Sequence, residues 1–112
     1  MEWSIPDNLQ YVKFNIIKNE QFSRFEIFVD GELGGFADYK IEGLNMVLPH
    51  TVVEPKFGGK GVGGALVAFA LEDARNNGQS VIPLCSFVAK TIAKNPEKFA
   101  ELVPDEFVHL IK

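Results

Sequence analysis

Apolar and polar positions alternate over Val12-Lys13-Phe14-Asn15-Ile16, the period-two signature of a strand with one buried face. Asn19-Glu20-Gln21 predicts a turn, and Arg24-Phe25-Glu26-Ile27-Phe28-Val29 predicts a second strand. Asp30-Gly31, set between two such segments, is the signal of a two-residue hairpin. A third strand is expected over Phe36–Ile41, closed by Glu42-Gly43, and a fourth from about Asn45 to Val53. Four strands joined by short turns make an antiparallel meander.

The spacing then changes. From Gly63 to Asn76, Leu66, Phe69 or Ala70, and Ala74 form an apolar stripe at helical intervals. Asn77-Gly78 supplies C-cap chemistry. Ser80–Ser86 reads as a fifth strand, and a strand–helix–strand crossover makes it parallel to the fourth. Pro83 inside that strand cannot donate to a ladder, so pairing must lapse beside it. An edge position and a splay away from the fourth strand both satisfy this. A second helix is expected from Phe87 to Asn95, ended by Asn95-Pro96. Pro96 suits the first turn of a short third helix over Glu97–Val103. The tail, Asp105 to Lys112, carries Phe107, Val108, Leu110 and Ile111 and is expected to pack back as a strand or turn. These elements predict one α+β domain over residues 1–112, with a twisted, mainly antiparallel sheet and one crossover helix.

Composition narrows the function classes. At 112 residues the chain is long enough for one core. A net charge of −4 argues against general nucleic-acid binding, which wants a basic face. One cysteine excludes an internal disulfide and fits a reducing compartment. Met1-Glu2-Trp3-Ser4-Ile5-Pro6 has neither a basic nor an apolar leader region. No apolar run approaches the ~20 residues of a membrane helix. The expectation is a soluble cytoplasmic protein that binds neither nucleic acid nor membrane.

The densest chemical signal lies between the fourth strand and the first helix. Five glycines, Gly58, Gly59, Gly61, Gly63 and Gly64, fall within seven residues, with Lys60 among them. Glycine lets a backbone adopt positive φ and lets a ligand approach the main chain closely. The free N–H groups and dipole of the helix that follows attract an anion, most naturally phosphate. A P-loop is excluded, because no Lys-Ser or Lys-Thr follows a glycine. Gly59-Lys60-Gly61-Val62-Gly63-Gly64 matches G-x-G-x-x-G by letter. The dinucleotide fold also wants an acidic residue after the next strand, and Leu84-Cys85 offers none.

Val53-Glu54-Pro55, Gly59-Lys60-Gly61-Val62-Gly63 and Leu66 together resemble the acetyl-CoA loop of the GNAT acetyltransferase superfamily. His50-Thr51-Val52-Val53 before the loop and Leu84-Cys85-Ser86-Phe87-Val88 after it resemble the superfamily's small, single-domain branch. The resemblance runs from about Phe25 to Val103. It implies a minimal GNAT fold whose fourth and fifth strands splay to admit the pantetheine arm of CoA. It also implies acetyl-CoA held by Val52, Val53, Gly58, Gly59, Lys60, Gly61, Val62, Gly63 and Gly64, and a primary amine as acceptor, on a small molecule or a protein. Gly58 stands where the superfamily loop usually has Arg or Gln, which removes one contact to the pyrophosphate. Superfamily members commonly wall the acceptor pocket with helices between the first two strands, and Asn19-Glu20-Gln21 leaves no room for them.

Transfer from a thioester to an amine needs a polarised carbonyl, a deprotonated amine and a proton for the leaving thiolate. A main-chain N–H freed at Val52 or Val53 would serve the carbonyl. His50 is the candidate base, since histidine titrates near pH ~6.5; a histidine satisfied at a strand surface is the plainer alternative. Cys85 sits just before a helix, and a helix N-terminus favours thiolate. It is a candidate acyl carrier or proton donor, against the alternative of a small buried hydrophobe. His109, alone in the tail, reads as structural. Lys90 and Lys94 read as a solvated face within reach of a CoA phosphate, and Glu72 and Asp73 as an exposed pair. No His/Cys cluster has metal-ligand spacing, so no metal is expected. The expectation from another function class is a CoA-binding sensor or adaptor with little turnover.

Overall fold

A computed structural model describes residues 13–112; Val12, where the first strand was expected to begin, lies outside them. Five strands form one sheet in the order β1-β2-β3-β4-β5. β1 spans Phe14–Asn19, β2 Arg24–Val29, β3 Glu32–Glu42 and β4 Asn45–Val53, each antiparallel to the next. β5, Ser80–Ile82, pairs parallel to β4 after the crossover helix α1, Val62–Asn76. Among the described residues two further helices follow, α2 (Ser86–Lys94) and α3 (Pro96–Phe99).

The β2–β3 hairpin follows from its turn chemistry. Asp30 (φ 50) and Gly31 (φ 87) both take positive φ, as a turn matched to strand twist requires. β3 begins at Glu32, four residues earlier than expected. Gly34-Gly35 hides this part of the strand, and the register against β2 shifts there, with Ile27 opposite Gly35 but Phe28 opposite Leu33. Glycine inside a strand commonly marks such a bulge. The connection from β1 to β2 is the turn Glu20–Ser23, with no helix in it.

One face of the sheet carries the core. Phe25, Ile27, Val29, Ala37, Met46 and Leu48 pack against Val62, Leu66, Val67, Ala70, Leu71 and Ala74 of α1. Ala70, fully buried, takes the stripe position shared with Phe69, which is exposed. Val88 and Ile92 of α2 and Phe99 of α3 extend the same cluster.

Three expectations change. β5 is three residues long and not seven, so Pro83 lies just past its end, buried, and not within it. The proline withholds an N–H where the next ladder bond would form. The third helix stops at Phe99 and tightens into a 3-10 turn over Ala100–Leu102. The tail forms a 3-10 helix over Asp105–Ile111, neither strand nor simple turn, and sets Phe107, Val108 and Ile111 against the core.

Candidate functional site

The site is built where β4 outruns β5. The ladder between them ends at Val47 opposite Ile82, while β4 continues to Val53. β4 also shifts register against β3 here: Asp38 lies opposite His50, but Lys40 lies opposite Val47. That leaves Leu48-Pro49 as an irregular step in β4, which accommodates the missing N–H of Pro49. Beyond Ile82 the chain bends through Pro83-Leu84 and returns to β4 by one main-chain bond, from Cys85 N–H to the Leu48 carbonyl at 3.0 Å. Ladder pairing between β4 and the β5–α2 connection therefore has a gap past Val47.

The glycine loop closes one end of this gap. A short 3-10 turn, Pro55–Phe57, buries Phe57 as an anchor. Gly59 and Gly61 both have φ +78, a conformation L side chains rarely adopt. Gly61 is the N-cap of α1, and it makes no side-chain cap hydrogen bond. The first bond of the helix runs from Ala65 N–H to the Gly61 carbonyl, so the N–H groups ahead of Ala65 have no partner within α1. At Gly59, Gly61 and Gly64 nothing lies within 4 Å of where a Cβ would stand. A bare, open backbone at a helix N-terminus suits an anion such as a pyrophosphate. Lys60 is exposed in the loop, with its ammonium 5.9 Å from the Phe57 ring centre. Lys56 is ion-paired with Glu32. Gly63 differs from its neighbours, because the ring of Phe87 occupies the space a Cβ would need.

Val52 and Val53 are distinguished by the strand. Glu54 N–H donates to the Gly34 carbonyl of β3. Donors alternate sides along an antiparallel strand, so Val52 also donates toward β3 and Val53 donates toward the gap. Of the two expected oxyanion donors, Val53 has the open N–H.

Cys85 occupies the N-cap position of α2. Its sulfur lies 3.5 Å from the hydroxyl oxygen of Thr51. Burial pushes the thiol up, but the Thr51 hydroxyl, with the main-chain N–H dipoles of Val88, Phe87 and Thr51 nearby, outweighs it. The net effect holds the thiol below its usual value. In the sequence Thr51 stands only within the His50-Thr51-Val52-Val53 motif, and the signal that sets it apart is that alternating β4 positions face opposite sides.

That alternation also separates the two candidate catalytic residues. Thr51 faces the helices and Cys85, so His50 faces the other side of the sheet, where its ring meets Phe36 at 6.5 Å between centroids. His50 is exposed there. The structure does not bring His50 and Cys85 onto one face. His109 is exposed in the tail helix, and Lys90 and Lys94 are exposed on α2. Glu72 and Asp73 are half-buried and paired, contrary to the expectation of a solvated pair: Glu72 with Arg75 at 3.2 Å and Asp73 with Lys18 at 2.8 Å. The reason is that β1 passes close enough to α1 for Lys18 to cross between them.

No curated protein matches the sequence. Among solved structures, the ribosomal-protein-S18-alanine N-acetyltransferase from Escherichia coli superposes with a TM-score of 0.52 at 20% identity, covering 56% of this chain and 41% of that one. Ard1 from Thermoplasma volcanium gives 0.48 at 28% identity, covering 53% and 41%. An aminoglycoside acetyltransferase from an uncultured soil metagenomic sample gives 0.49 at 14% identity, covering 91% and 68%. The chain thus spans about two-fifths of the first two structures. The family model described as GCN5-related N-acetyl-transferase matches residues 24–102, well over half of the sequence. Sheet, crossover, glycine loop and family match agree, and the chain belongs to the GCN5-related N-acetyltransferase family.

Proposed function

We propose that the protein moves an acetyl group from acetyl-CoA to a primary amine, on a small molecule or a protein, across the gap between β4 and β5. The observation that carries this reading is the meeting, at one place, of the unpaired end of β4 and the uncapped N-terminus of α1. In this reading the backbone of Gly58, Gly59, Lys60, Gly61, Val62, Gly63 and Gly64 holds the pyrophosphate, and the Lys60 ammonium adds charge. The main chain at Val52 and Val53 lines the path of the thioester.

The amine nitrogen bonds to the acyl carbon while Val53 N–H stabilises the charge that develops on the carbonyl oxygen. The alkylammonium, with a pKa near ~10.4, first loses a proton. His50, on the exposed sheet face, is the base we assign, acting directly or through a water. The carbon–sulfur bond of the thioester breaks, and the departing CoA thiolate takes up a proton. Cys85 serves by one of two routes. Its thiol supplies that proton, or its thiolate first takes the acetyl group and then passes it to the amine. With His50 and Cys85 on opposite faces, the amine reaches the acyl carbon through the gap, its proton leaving toward one face while the thioester sulfur lies toward the other.

A second reading, a CoA-binding sensor or adaptor with little turnover, is favoured by Gly58, where related loops carry Arg or Gln. Intact-mass spectrometry after incubation with acetyl-CoA, on the wild type and Cys85→Ala, tests the first reading. A +42 Da adduct that disappears in Cys85→Ala establishes Cys85 as an acyl carrier. Acetylation of an amine panel without an adduct establishes direct transfer. CoA binding with neither leaves the sensor. Absence of CoA binding by titration calorimetry ends both readings.

A further inference from the structure

We propose that Thr51 is the positioning residue for Cys85, its hydroxyl holding the sulfur at the mouth of the gap between β4 and β5. This inference rests on the reading of Cys85 as part of an acyl-transfer site, although what it asserts is a property of the thiol itself. Past Ile82, a main-chain and a side-chain hydrogen bond of Cys85 stitch the β5–α2 connection to β4. One is the main-chain bond from Cys85 N–H to the Leu48 carbonyl at 3.0 Å. The other is between side chains, Cys85 Sγ to Thr51 Oγ1 at 3.5 Å, across 34 residues of sequence.

A hydroxyl is both a donor and an acceptor. It accepts from the S–H of the neutral thiol and donates to the thiolate, so the sulfur keeps one position through a change of protonation. The sulfur makes no side-chain cap hydrogen bond to the first turn of α2, and a main-chain N–H could serve only the thiolate, which leaves Thr51 as the side chain that serves both forms.

Among the described residues, the charged groups on the surrounding elements are turned away. His50 on β4 occupies the opposite face, and Lys90 on α2 is exposed and lines a separate cleft with the C-terminal residues Leu110–Lys112. The first two turns of α1, Val62 to Phe69, hold no titratable side chain. Among the described residues, hydrogen bonding and not ion pairing acts on this thiol, so removing one hydroxyl should move it.

The test uses iodoacetamide on the folded chain, followed by intact mass from pH 6 to 10. Cys85 is the sole cysteine, so one adduct reports one residue. Thr51→Val, which keeps shape and removes the hydroxyl, is expected to raise the midpoint of the alkylation profile by about half a pH unit or more. Alkylation at pH 7 then slows about threefold. Thr51→Ala, a second variant without the hydroxyl, should move the same way, and Thr51→Ser should keep the wild-type midpoint. Unchanged midpoints in Val and Ala, or an equal shift in Ser, overturn the proposal. No acetyl-CoA enters the experiment. A protein that transfers nothing still passes, and one that transfers acetyl groups without the shift loses only this inference.

Discussion

The ring of Phe87 fills the space that a Cβ on Gly63 would occupy, with its Cζ 2.5 Å from that position. The first turn of α2 thereby rests on the first turn of α1, and the loop that presents Cys85 is packed on the helix whose N-terminus faces the glycine loop. The ring is 41% exposed, so it can swing outward when pushed. Gly63→Ala should gain little stability, because any helix-propensity gain of up to about 1 kcal/mol is offset by the displaced ring. In a Phe87→Ala background the same change should stabilise. Urea denaturation of the four-member cycle measures the difference, and additive values would show that the two residues do not communicate.

Gly61 has φ +78 at the N-cap of α1, with open space around its Cα. Left-handed backbone costs most L residues about 1–2 kcal/mol, but asparagine tolerates it. Gly61→Asn should keep the fold and most of the CoA affinity. Gly61→Glu should weaken CoA binding more than about tenfold, since it combines strain with a carboxylate at the anion site. Calorimetry with CoA decides, and equal affinity in wild type and Gly61→Glu would remove the loop from the binding site.

Folding holds Cys85 below its ordinary value of 9.0. A depressed folded value means that the folded state binds the thiol's proton less tightly than the unfolded chain does. The resulting stability grows as pH rises through the folded value, is complete above about 9, and is lost as pH falls. The melting temperature of the wild type relative to Cys85→Ala should therefore rise between neutral pH and pH 9.5. A flat difference would mean the thiol is not shifted.

Lys18 on β1 reaches Asp73 on α1 at 2.8 Å, both side chains about one-quarter exposed. Burial works against the ammonium, but its hydrogen bond and attraction to Asp73 win, and its pKa rises above 10.5. The contribution is complete below 10.5 and fades only at higher pH. A double-mutant cycle with Lys18→Met and Asp73→Asn at neutral pH should give a coupling of about 0.5–1 kcal/mol.

Most of the sheet was legible because its faces alternate cleanly: Phe25, Ile27 and Val29 read as one buried row, and they are one. Asp30-Gly31 stated its own turn. Where the reading fell short, local signals were ambiguous. Gly34-Gly35 lowers strand propensity and so hid the start of β3, although a bulge there uses both residues. Ser80–Ser86 reads as one apolar run, and only the partner strand decides that pairing stops at Ile82. Alternation along β4 was enough to put His50 and Thr51 on opposite faces. The face that Cys85 joins was not in the sequence, because it depends on how Pro83-Leu84 folds back toward Leu48.

Pro49 stands on one lip of the gap and Pro83 on the other, and neither can contribute an N–H. Neither proline can donate a ladder bond across the gap, so bonding there is left to other residues, such as Cys85 with Leu48. In the acetyl-CoA reading an entering chain then meets little strand pairing, and its arrival should be limited by diffusion and charge, not by a door that must first be opened.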